Sequence, residues 1–332
     1  MALPTLGDVH VNTALTNVSL AYMQEAKNFV ASRVFPTVPV AKQADRYYVF
    51  SRADFNRNQM KRRAPGTTAA MTGFRLDNTP SYFAERYSLG FPIPTEIRAN
   101  SDSVLNPDMN ATQFLTQQAL INREYNWATK YFADVWTSKY TGGSSASVYG
   151  SNTIQYWDTT TTSTPIEDVR HMSTKVALAG GGFRPNKLVL GRDVLDVLLD
   201  HPDIIDRLKA GQTPNGPALA SLPKLAEIFG VEEVLVMDGV YNTGQEGGTE
   251  TSVYIGTKHA LLVYAPPAPG LMVPSAGYTF AWTGYFGANM EGNRIKSYRF
   301  EPTDGDLVEI DAYYDQKLVS ADLGGLFYNA IQ

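Results

Sequence analysis

The chain has 332 residues, of which 43% are hydrophobic and 11% aromatic, so it is long enough for about two domains and apolar enough for a sizeable core. Only 18% are charged, and the charge is uneven: residues 1–100 carry 12 Lys and Arg against 7 Asp and Glu, whereas the rest carries 16 against 26. The absence of cysteine excludes a disulfide framework, a thiolate nucleophile and Cys-ligated zinc, and we expect neither a secretory signal nor a membrane-spanning helix.

The first 95 residues predict two extended segments rather than a compact core. Within residues 1–42, helical spacing from Ala21 to Val34 predicts a short helix, and two prolines after it predict an extended path. Residues 43–95 predict two aromatic-rich strands, one beginning at Arg46 and one over Ser81–Pro94. The roughly 30 residues between these strands, 51–80, exceed an ordinary hairpin loop, so we expect an arm with Pro65-Gly66 at its centre.

A long helix is predicted after the arm. Asn106 as the N-cap, with Pro107 and Asp108 after it, is typical of a helix start. Apolar residues then recur at spacings of about three, four and seven, which predicts one buried stripe on a helix that runs to about Tyr140: Phe114, Ile121, Tyr125, Ala128, Phe132 and Val135. Polar stretches after Tyr140 predict a boundary near residue 163.

Residues 164–283 predict a compact domain of mixed helices and strands. Its first helix, Pro165–Ala179, is preceded by Thr164, which together with Glu167 has the capping-box spacing. The other predicted helices are Arg192–Leu199, Pro202–Lys209 and Leu222–Phe229. The predicted strands are Lys187–Leu190, Glu233–Met237 and one or more within Ser252–Tyr264.

Residues 277–318 predict a return to β structure. Arg294–Phe300 and Leu307–Tyr314 alternate in polarity and are joined by a turn at Asp304-Gly305. From Leu318 onward the sequence predicts only a short tail, which ends near the apolar Leu326-Phe-Tyr.

No residue pattern indicates a catalytic, metal or cofactor site. The four histidines are scattered, and neither His-Glu-x-x-His nor a Walker or nucleophile-elbow motif occurs. Gly180-Gly-Gly follows a predicted helix instead of opening one, so we interpret it as a helix C-cap rather than a phosphate loop. His201-Pro202 is expected to separate a run of aspartates that we interpret as capping and solvated residues: Asp193, Asp196, Asp200, Asp203 and Asp206.

Two clusters of opposite charge are the candidate contact residues. The basic cluster falls on the predicted arm and consists of Arg52, Arg57, Lys61, Arg62 and Arg63. The acidic cluster falls on the return strands and consists of Asp304, Asp306, Glu309, Asp311 and Asp315, with Glu301 and Asp322 beside it. A basic loop can simply be solvated, but the aromatic flanks favour a docking tip that contacts an acidic surface on a neighbouring copy.

The order of the predicted elements resembles the major capsid proteins of tailed bacteriophages, which have the Hong Kong 97-type fold, in the branch of the lambda-type major head protein. Four short motifs carry the resemblance in order: Pro185-Asn-Lys-Leu-Val-Leu-Gly, His201-Pro-Asp-Ile-Ile-Asp-Arg, Leu225-Ala-Glu-Ile-Phe-Gly-Val and Gly277-Tyr-Thr-Phe-Ala-Trp. The resemblance implies an α+β fold with five parts. These are an N-terminal arm (1–42), an extended β arm or E-loop (43–95), a spine helix with peripheral domain (96–163), a mixed α/β axial domain (164–283), and return strands of the peripheral domain with a C-terminal tail (284–332).

The resemblance also implies self-assembly. Subunits would form hexamers and pentamers of an icosahedral head that encloses double-stranded DNA and contacts it only non-specifically. The E-loop of one subunit would lie across the peripheral domain and spine helix of its neighbour. Further implied partners are a separate scaffold protein, a decoration protein and a portal complex, with no membrane. The protein would be located in the virion after assembly in the host cell cytoplasm, with no enzymatic activity and no cofactor.

The residues leave one alternative open. The chain could be a soluble α+β enzyme or ligand-binding protein that uses loop carboxylates of residues 164–283. That function would require a deep pocket lined with perturbed carboxylates. It would also give a small closed oligomer, whereas a shell protein gives very large particles.

Overall fold

The computed structural model describes residues 23–101, 106–210, 221–270, 272–285 and 288–332. The helices are α1 Ala31–Val34, α2 Arg52–Phe55, α3 Thr95–Asn100, α4 Pro107–Tyr131, α5 Pro165–Gly180, α6 Arg192–Leu199, α7 Pro202–Ala210 and α8 Leu222–Phe229. The first strands are β1 Thr37–Val40, β2 Ala44–Arg46, β3 Val49–Phe50, β4 Leu76–Asp77, β5 Ser81–Phe83, β6 Glu85–Pro94, β7 Ser138–Gly143 and β8 Thr153–Gln155. The later strands are β9 Lys187–Gly191, β10 Glu233–Met237, β11 Val240–Asn242, β12 Ser252–Tyr254, β13 Ala260–Val263, β14 Gly277–Trp282, β15 Asn293–Phe300, β16 Gly305–Leu318 and β17 Gly324–Tyr328.

A six-stranded sheet forms the larger core, with strand order β10-β9-β13-β17-β7-β8. Its central strands are apolar on both faces, which is typical of strands covered by helices on both sides. Leu188 and Leu190 of β9 face a cluster that includes residues of α5, α6 and α8, while Val189 between them faces a second cluster formed with α1 and α4. The sheet is therefore the middle layer between two layers of helices.

A five-stranded sheet forms the second body. Its order is β1-β14-β16-β15. Strand β6 also pairs with β16, on the edge opposite β15. The 14-residue strand β16 is its centre and is antiparallel to β6, β14 and β15. Val308 and Ile310 point from one face of β16 into a small core with Ala111 and Leu115 of α4. The long helix therefore packs on both sheets.

Much of the predicted secondary structure is confirmed. Helices α6 and α8 and strand β10 have the predicted bounds, and β9 extends its prediction by one residue. The start of α4 is also confirmed, since the side chain of Asn106 accepts a hydrogen bond from the backbone N–H of Met109 at 3.2 Å. Gly181 caps the C-terminus of α5 with φ of 80°, as expected for the glycine turn.

The predicted end of the long helix was wrong, and its predicted stripe was right only in part, since Ala128 and Phe132 are buried. Helix α4 ends at Tyr131 rather than near Tyr140. Of the predicted stripe, Phe114 and Tyr125 are 47% and 44% exposed. The buried positions include Ala111, Leu115, Arg123, Glu124, Trp127, Ala128 and Tyr131. Two charged residues on the buried face shifted the apparent apolar stripe, because a hydrophobicity pattern places charges on the outside.

The predicted C-terminal tail was also wrong. Residues Gly324–Tyr328 form β17, which lies in the interior of the six-stranded sheet between β13 and β7. The first two residues of this strand are glycines, because neighbouring side chains fill the space that a Cβ would occupy. A Cβ at Gly324 would lie 2.2 Å from the Trp136 ring, and one at Gly325 would lie 2.5 Å from Met172 Sδ. The small residues that made the segment look like a tail are those that close packing requires.

Two smaller differences concern a helix cap and the grouping of the chain. Thr164 precedes α5 but makes no side-chain capping bond, so the expected capping box is not formed.

The sheets cut across the proposed divisions: β7, β8 and β17 join strands of residues 164–283 in the six-stranded sheet, while β14 joins the five-stranded sheet. Part of the expected helix between Ala21 and Val34 lies outside the described residues, and within them only Ala26–Asn28 and α1 are helical.

Candidate functional site

The predicted arm is a long hairpin that projects from the five-stranded sheet. Its base is two short antiparallel pairs, β2 with β5 and β3 with β4. Tyr82 in β5 stacks on Phe280 of β14, with ring centroids 4.5 Å apart, and Arg52 pairs with Asp322 at 2.6 Å. The base is therefore held on its own subunit by aromatic packing and one ion pair.

The arm reverses direction at the expected turn. The N–H of Thr67 donates to the carbonyl of Ala64 at 3.3 Å, and Gly66 between them has φ of +81°. Proline followed by glycine with positive φ is the signature of a type II turn. Below the turn, the rings of Phe50, Phe55 and Phe74 pack together with centroids 5.5–6.1 Å apart.

The arm beyond this aromatic cluster is basic, and four of its cations have no ionic partner within the described residues, whereas Arg75 pairs with Asp54 at 3.1 Å. Residues 56–75 are almost all exposed. Arg57, Lys61 and Arg62 have no acidic partner among the described residues, and Arg63 donates only to the carbonyl of Thr67. The predicted basic tip therefore consists of these four residues, while Arg52 belongs to the base.

The arm also exposes large apolar side chains that the sequence reasoning did not single out. Met60 and Met71 are each 94% exposed. Further exposed apolar residues along the arm are Tyr48, Phe55, Phe74, Leu76 and Phe83. Their presence within a basic loop was the sequence signal that could have identified them, because an exposed apolar patch is typical of a contact surface.

The acidic residues at the centre of β16 are neutralised by their own subunit. Arg86 of β6 contacts Asp311 at 2.7 Å and Glu309 at 2.9 Å. From β15, Arg294 contacts Asp311 at 3.0 Å, and Lys296 contacts Glu309 at 3.1 Å. This network has three cations for two carboxylates.

Burial separates Asp311 from the predicted docking surface. Its side chain is fully buried. Burial alone would raise the pKa of Asp311, but hydrogen bonds from Arg86 and Arg294 outweigh this effect, so the pKa lies below its usual value. We therefore correct the sequence-based set: Asp311 is a structural residue of the sheet, and Glu309 shares its partners.

The remaining acidic candidates differ in exposure. Asp315 is 16% exposed, lies 3.7 Å from Lys130 and accepts from the N–H of Phe83 at 3.2 Å. Asp304, which is 71% exposed, shares Arg299 with Glu301, which is 80% exposed. Asp306 shares Arg98 with Asp108 at the start of α4. The turn between β15 and β16 carries Glu301 and Asp304, and with Asp306 of β16 and Asp108 of α4 beside it this surface has four carboxylates for two guanidinium groups.

The structure provides no catalytic arrangement for the enzyme alternative within the described residues. Ser163 and His201 lie close together, with Oγ and Nε2 2.9 Å apart, but His201 Nδ1 accepts from the N–H of Asp203 at 3.2 Å. His201 Nε2 therefore carries the proton and donates to Ser163, the wrong direction for activating a nucleophile. His201 is a buried capping residue at the start of α7.

The loop carboxylates do not converge either. Asp193 lies in the first turn of α6 and Asp203 in that of α7, while Asp196 pairs with Arg192 at 2.8 Å and Asp206 with Lys209 at 3.8 Å. No group of acidic or histidine side chains in the described ranges could hold a metal ion. Within the same ranges, no helix is long and apolar enough to cross a membrane.

Comparisons with known proteins agree on one class. Residues 148–274 match the family model described as phage major capsid protein E. The chain is 24% identical over 324 residues to the major capsid protein of Pseudomonas phage JBD67, an alignment that covers 97% of each chain.

Solved structures share the fold at low sequence identity. The crystal structure of a phage-related protein from Bordetella bronchiseptica RB50 superposes with a TM-score of 0.66 at 19% identity, covering 92% of this chain and 93% of that one. The capsid structure of cyanophage P-SCSP1u superposes with a TM-score of 0.59 at 9% identity, covering 100% of this chain and 96% of that one. The mixed helices and sheets described above are thus those of a phage capsid fold, as predicted.

Proposed function

We propose that this chain, which is a phage major capsid protein, assembles with copies of itself into hexamers and pentamers that close into an icosahedral head around double-stranded DNA. The observation that carries the proposal is the projecting arm. Its tip has four basic residues without an ionic partner in the described part of the chain, and its sides expose apolar residues. In a shell, a neighbouring copy of the same chain would cover this surface on every subunit.

The exposed apolar residues of the arm supply most of the expected contact energy. Covering apolar surface stabilises by roughly 25 cal/mol per Å². Met60 and Met71 are almost fully exposed and Phe74 is 58% exposed, so each has surface left to bury against a neighbour. Exposed ion pairs add only about 0–1 kcal/mol each. The basic residues therefore serve mainly to orient the arm on the neighbouring copy.

The turn between β15 and β16 is the acidic surface that best matches the basic tip. Asp304 and Glu301 are largely exposed and share one arginine, while Asp306 and Asp108 share another. This excess of negative charge lies on the five-stranded sheet beside the start of α4. We therefore narrow the proposed contact to Arg57, Lys61, Arg62 and Arg63 of one copy and this turn of its neighbour.

The proposed architecture keeps the five parts inferred from the sequence but not their exact boundaries, because each of the two large sheets combines strands from more than one part. Residues 43–95 act as the E-loop, α4 as the spine helix, the five-stranded sheet as the core of the peripheral domain and the six-stranded sheet as the core of the axial domain. The other proposed partners are a separate scaffold protein, a decoration protein, a portal complex and packaged DNA that is contacted non-specifically. We propose that the protein is not an enzyme, assembles in the host cytoplasm and resides in the virion.

Particle mass tests this function. The purified protein, with and without a co-expressed scaffold protein from the same phage, is analysed by light scattering and sedimentation. Assembly predicts very large particles of narrow size distribution under at least one condition. A single small closed oligomer under every condition would support the enzyme or ligand-binding alternative instead.

A further inference from the structure

The segment Met23–Val40 is bound to the rest of the subunit at several points. The amide of Gln24 makes two hydrogen bonds with the backbone of Val240, at 2.6 and 2.8 Å. Lys187 Nζ donates to the carbonyls of Arg33 and Val34 at the end of α1, and β1 pairs in parallel with β14. The central attachment, at the start of α1, is made by Glu124 of the long helix α4.

Among the described residues, Glu124 makes hydrogen bonds only to this segment. Its side chain is fully buried. The N–H of Val30 donates to both carboxyl oxygens at 3.0 Å, and the N–H of Ala31 donates to Oε2 at 2.7 Å. These are the free N–H groups at the start of a helix, which favour a negatively charged acceptor.

No cation accompanies this carboxyl group among the described residues. The charged groups on the elements packed around it are engaged elsewhere: Arg123 with Glu291, Arg33 with Glu233, Lys187 with two backbone carbonyls, Lys27 with Glu25, Lys130 with Asp315, and Asp238 with Arg192. His259, near the C-terminal end of α4, accepts a hydrogen bond from the N–H of Asn329. A buried carboxylate without a countercharge is costly to ionise.

The same face of α4 carries two further incompletely satisfied polar groups. Trp127 and Tyr131 lie three and seven positions after Glu124, so they share its side of the helix and pack against Phe35. Their Nε1 and OH groups are buried and have no hydrogen-bond partner among the described residues. Exposure to water would satisfy both groups, so this contact between the segment and α4 opens more easily than a purely apolar contact.

We propose that Glu124 is a proton-linked clasp: closing of the segment Met23–Val40 onto α4 takes up one proton, and opening releases it to solvent. The geometry accommodates both protonation states. With the proton on Oε1, Oε2 still accepts from Val30 and Ala31, so the protonated clasp keeps two of its three bonds. The ionised clasp keeps all three but leaves a charge in a dry site.

The direction of the effect follows from the burial of the carboxyl group. Burial raises the pKa of Glu124 from 4.5 to about 7, and the hydrogen bonds from Val30 and Ala31 only partly oppose it. The open state ionises near 4.5, whereas the closed state retains its proton until about 7. The closed segment is therefore fully stabilised below the open-state pKa and loses this stabilisation as the pH rises through the closed-state pKa.

Hydrogen–deuterium exchange of the purified full chain tests the clasp. Peptides covering residues 29–40 are followed from pH 5.5 to 8.5, and their rates are corrected for intrinsic exchange. With pKa values of 4.5 and about 7, the opening constant is expected to rise on the order of 30-fold across this range. Peptides of α5 in the same samples serve as the internal reference and are expected to show no such rise.

Two variants complete the test. Glu124→Gln preserves the size of the side chain but cannot ionise, so the corrected protection of residues 29–40 is expected to be independent of pH. Glu167→Gln, which removes an exposed carboxylate on α5, is expected to keep the wild-type slope. A flat wild-type profile, or an equal slope in Glu124→Gln, overturns the clasp. If Glu124→Gln does not fold, the wild-type slope relative to α5 decides alone.

Discussion

Arg86 of β6 reaches across to the central strand β16 and places Nε at 2.9 Å and Nη2 at 2.7 Å from the same carboxyl oxygen of Asp311. Arg294 approaches the other oxygen of that carboxylate from the strand on the opposite side. One buried aspartate thus joins three strands of the five-stranded sheet. The sheet that carries the base of the arm is held together at this point.

Replacing Asp311 with alanine is expected to destabilise the subunit by about 3 kcal/mol. Removing one partner of a buried pair leaves the others uncompensated, which costs about 3–5 kcal/mol, and the partial hydration of Arg86 and Lys296 favours the lower end. Urea unfolding followed by circular dichroism measures the change. Glu301→Ala is the control: its carboxylate is 80% exposed, so a change of only about 0–1 kcal/mol is expected. Equal losses in the two variants would contradict the structural role of Asp311.

The same carboxylate predicts a dependence on acid. The pKa of Asp311 is lowered from 3.8 because hydrogen bonds from its cations outweigh its burial. Its contribution is therefore present above the unfolded pKa and lost as the pH falls through the lower folded pKa. Wild-type protein is expected to lose more stability on acidification below about pH 4 than Asp311→Ala does. Parallel profiles of unfolding free energy against pH for the two proteins would be inconsistent with this assignment.

Deleting residues 324–332 is expected to prevent folding rather than trim a mobile end. The deletion removes β17 and, with it, the fully buried Leu326 and Phe327 from the two faces of the six-stranded sheet. Losing each large apolar side chain costs about 2–5 kcal/mol, and the strand loss also leaves β13 and β7 unpaired. Solubility and far-ultraviolet circular dichroism report the outcome. A soluble, cooperatively unfolding truncated chain would contradict the central position of β17.

Reversing two charges at the arm tip is expected to impair assembly while leaving the subunit folded. Arg62 and Arg63 are exposed and make no ion pair in the described part of the chain, so Arg62→Glu with Arg63→Glu has little effect on unfolding. The reversal would place negative charge against the acidic turn of the neighbour at every repeated contact. Particle yield from sedimentation is the readout. Arg62→Lys with Arg63→Lys keeps the charge and serves as the control, and normal yield from the glutamate variant would exclude the docking tip.

The sequence predicted elements well where each had a strong local signal. Asn106-Pro107 starts α4, Gly181 ends α5, and Pro65-Gly66 turns the arm, because capping and turn residues act through their own backbone. Strands β9 and β10 were recognisable as short apolar runs. The resemblance to phage capsid proteins added the order of these parts, which local patterns do not determine.

The predictions that failed depend on contacts between residues that are far apart in the sequence. The pattern of β17 is meaningful only once Trp136 and Met172 occupy the space beside its glycines. Pairing of the acidic β16 residues depends on register: Lys296 lies opposite Glu309 and Arg294 opposite Asp311, so an acidic run that looked like a free surface is neutralised across the sheet. Glu124 was assigned no role, because a single glutamate in a helix does not reveal that the segment Met23–Val40 covers it.

Cryo-electron microscopy of the assembled protein tests whether the arm of one copy contacts the next, because it locates the arm relative to its own and neighbouring copies. We expect closed shells with fivefold and sixfold rings, in which residues 56–74 of one copy lie against the turn between β15 and β16 of the next. Separate single copies, each with residues 56–74 packed on its own body, would contradict this expectation.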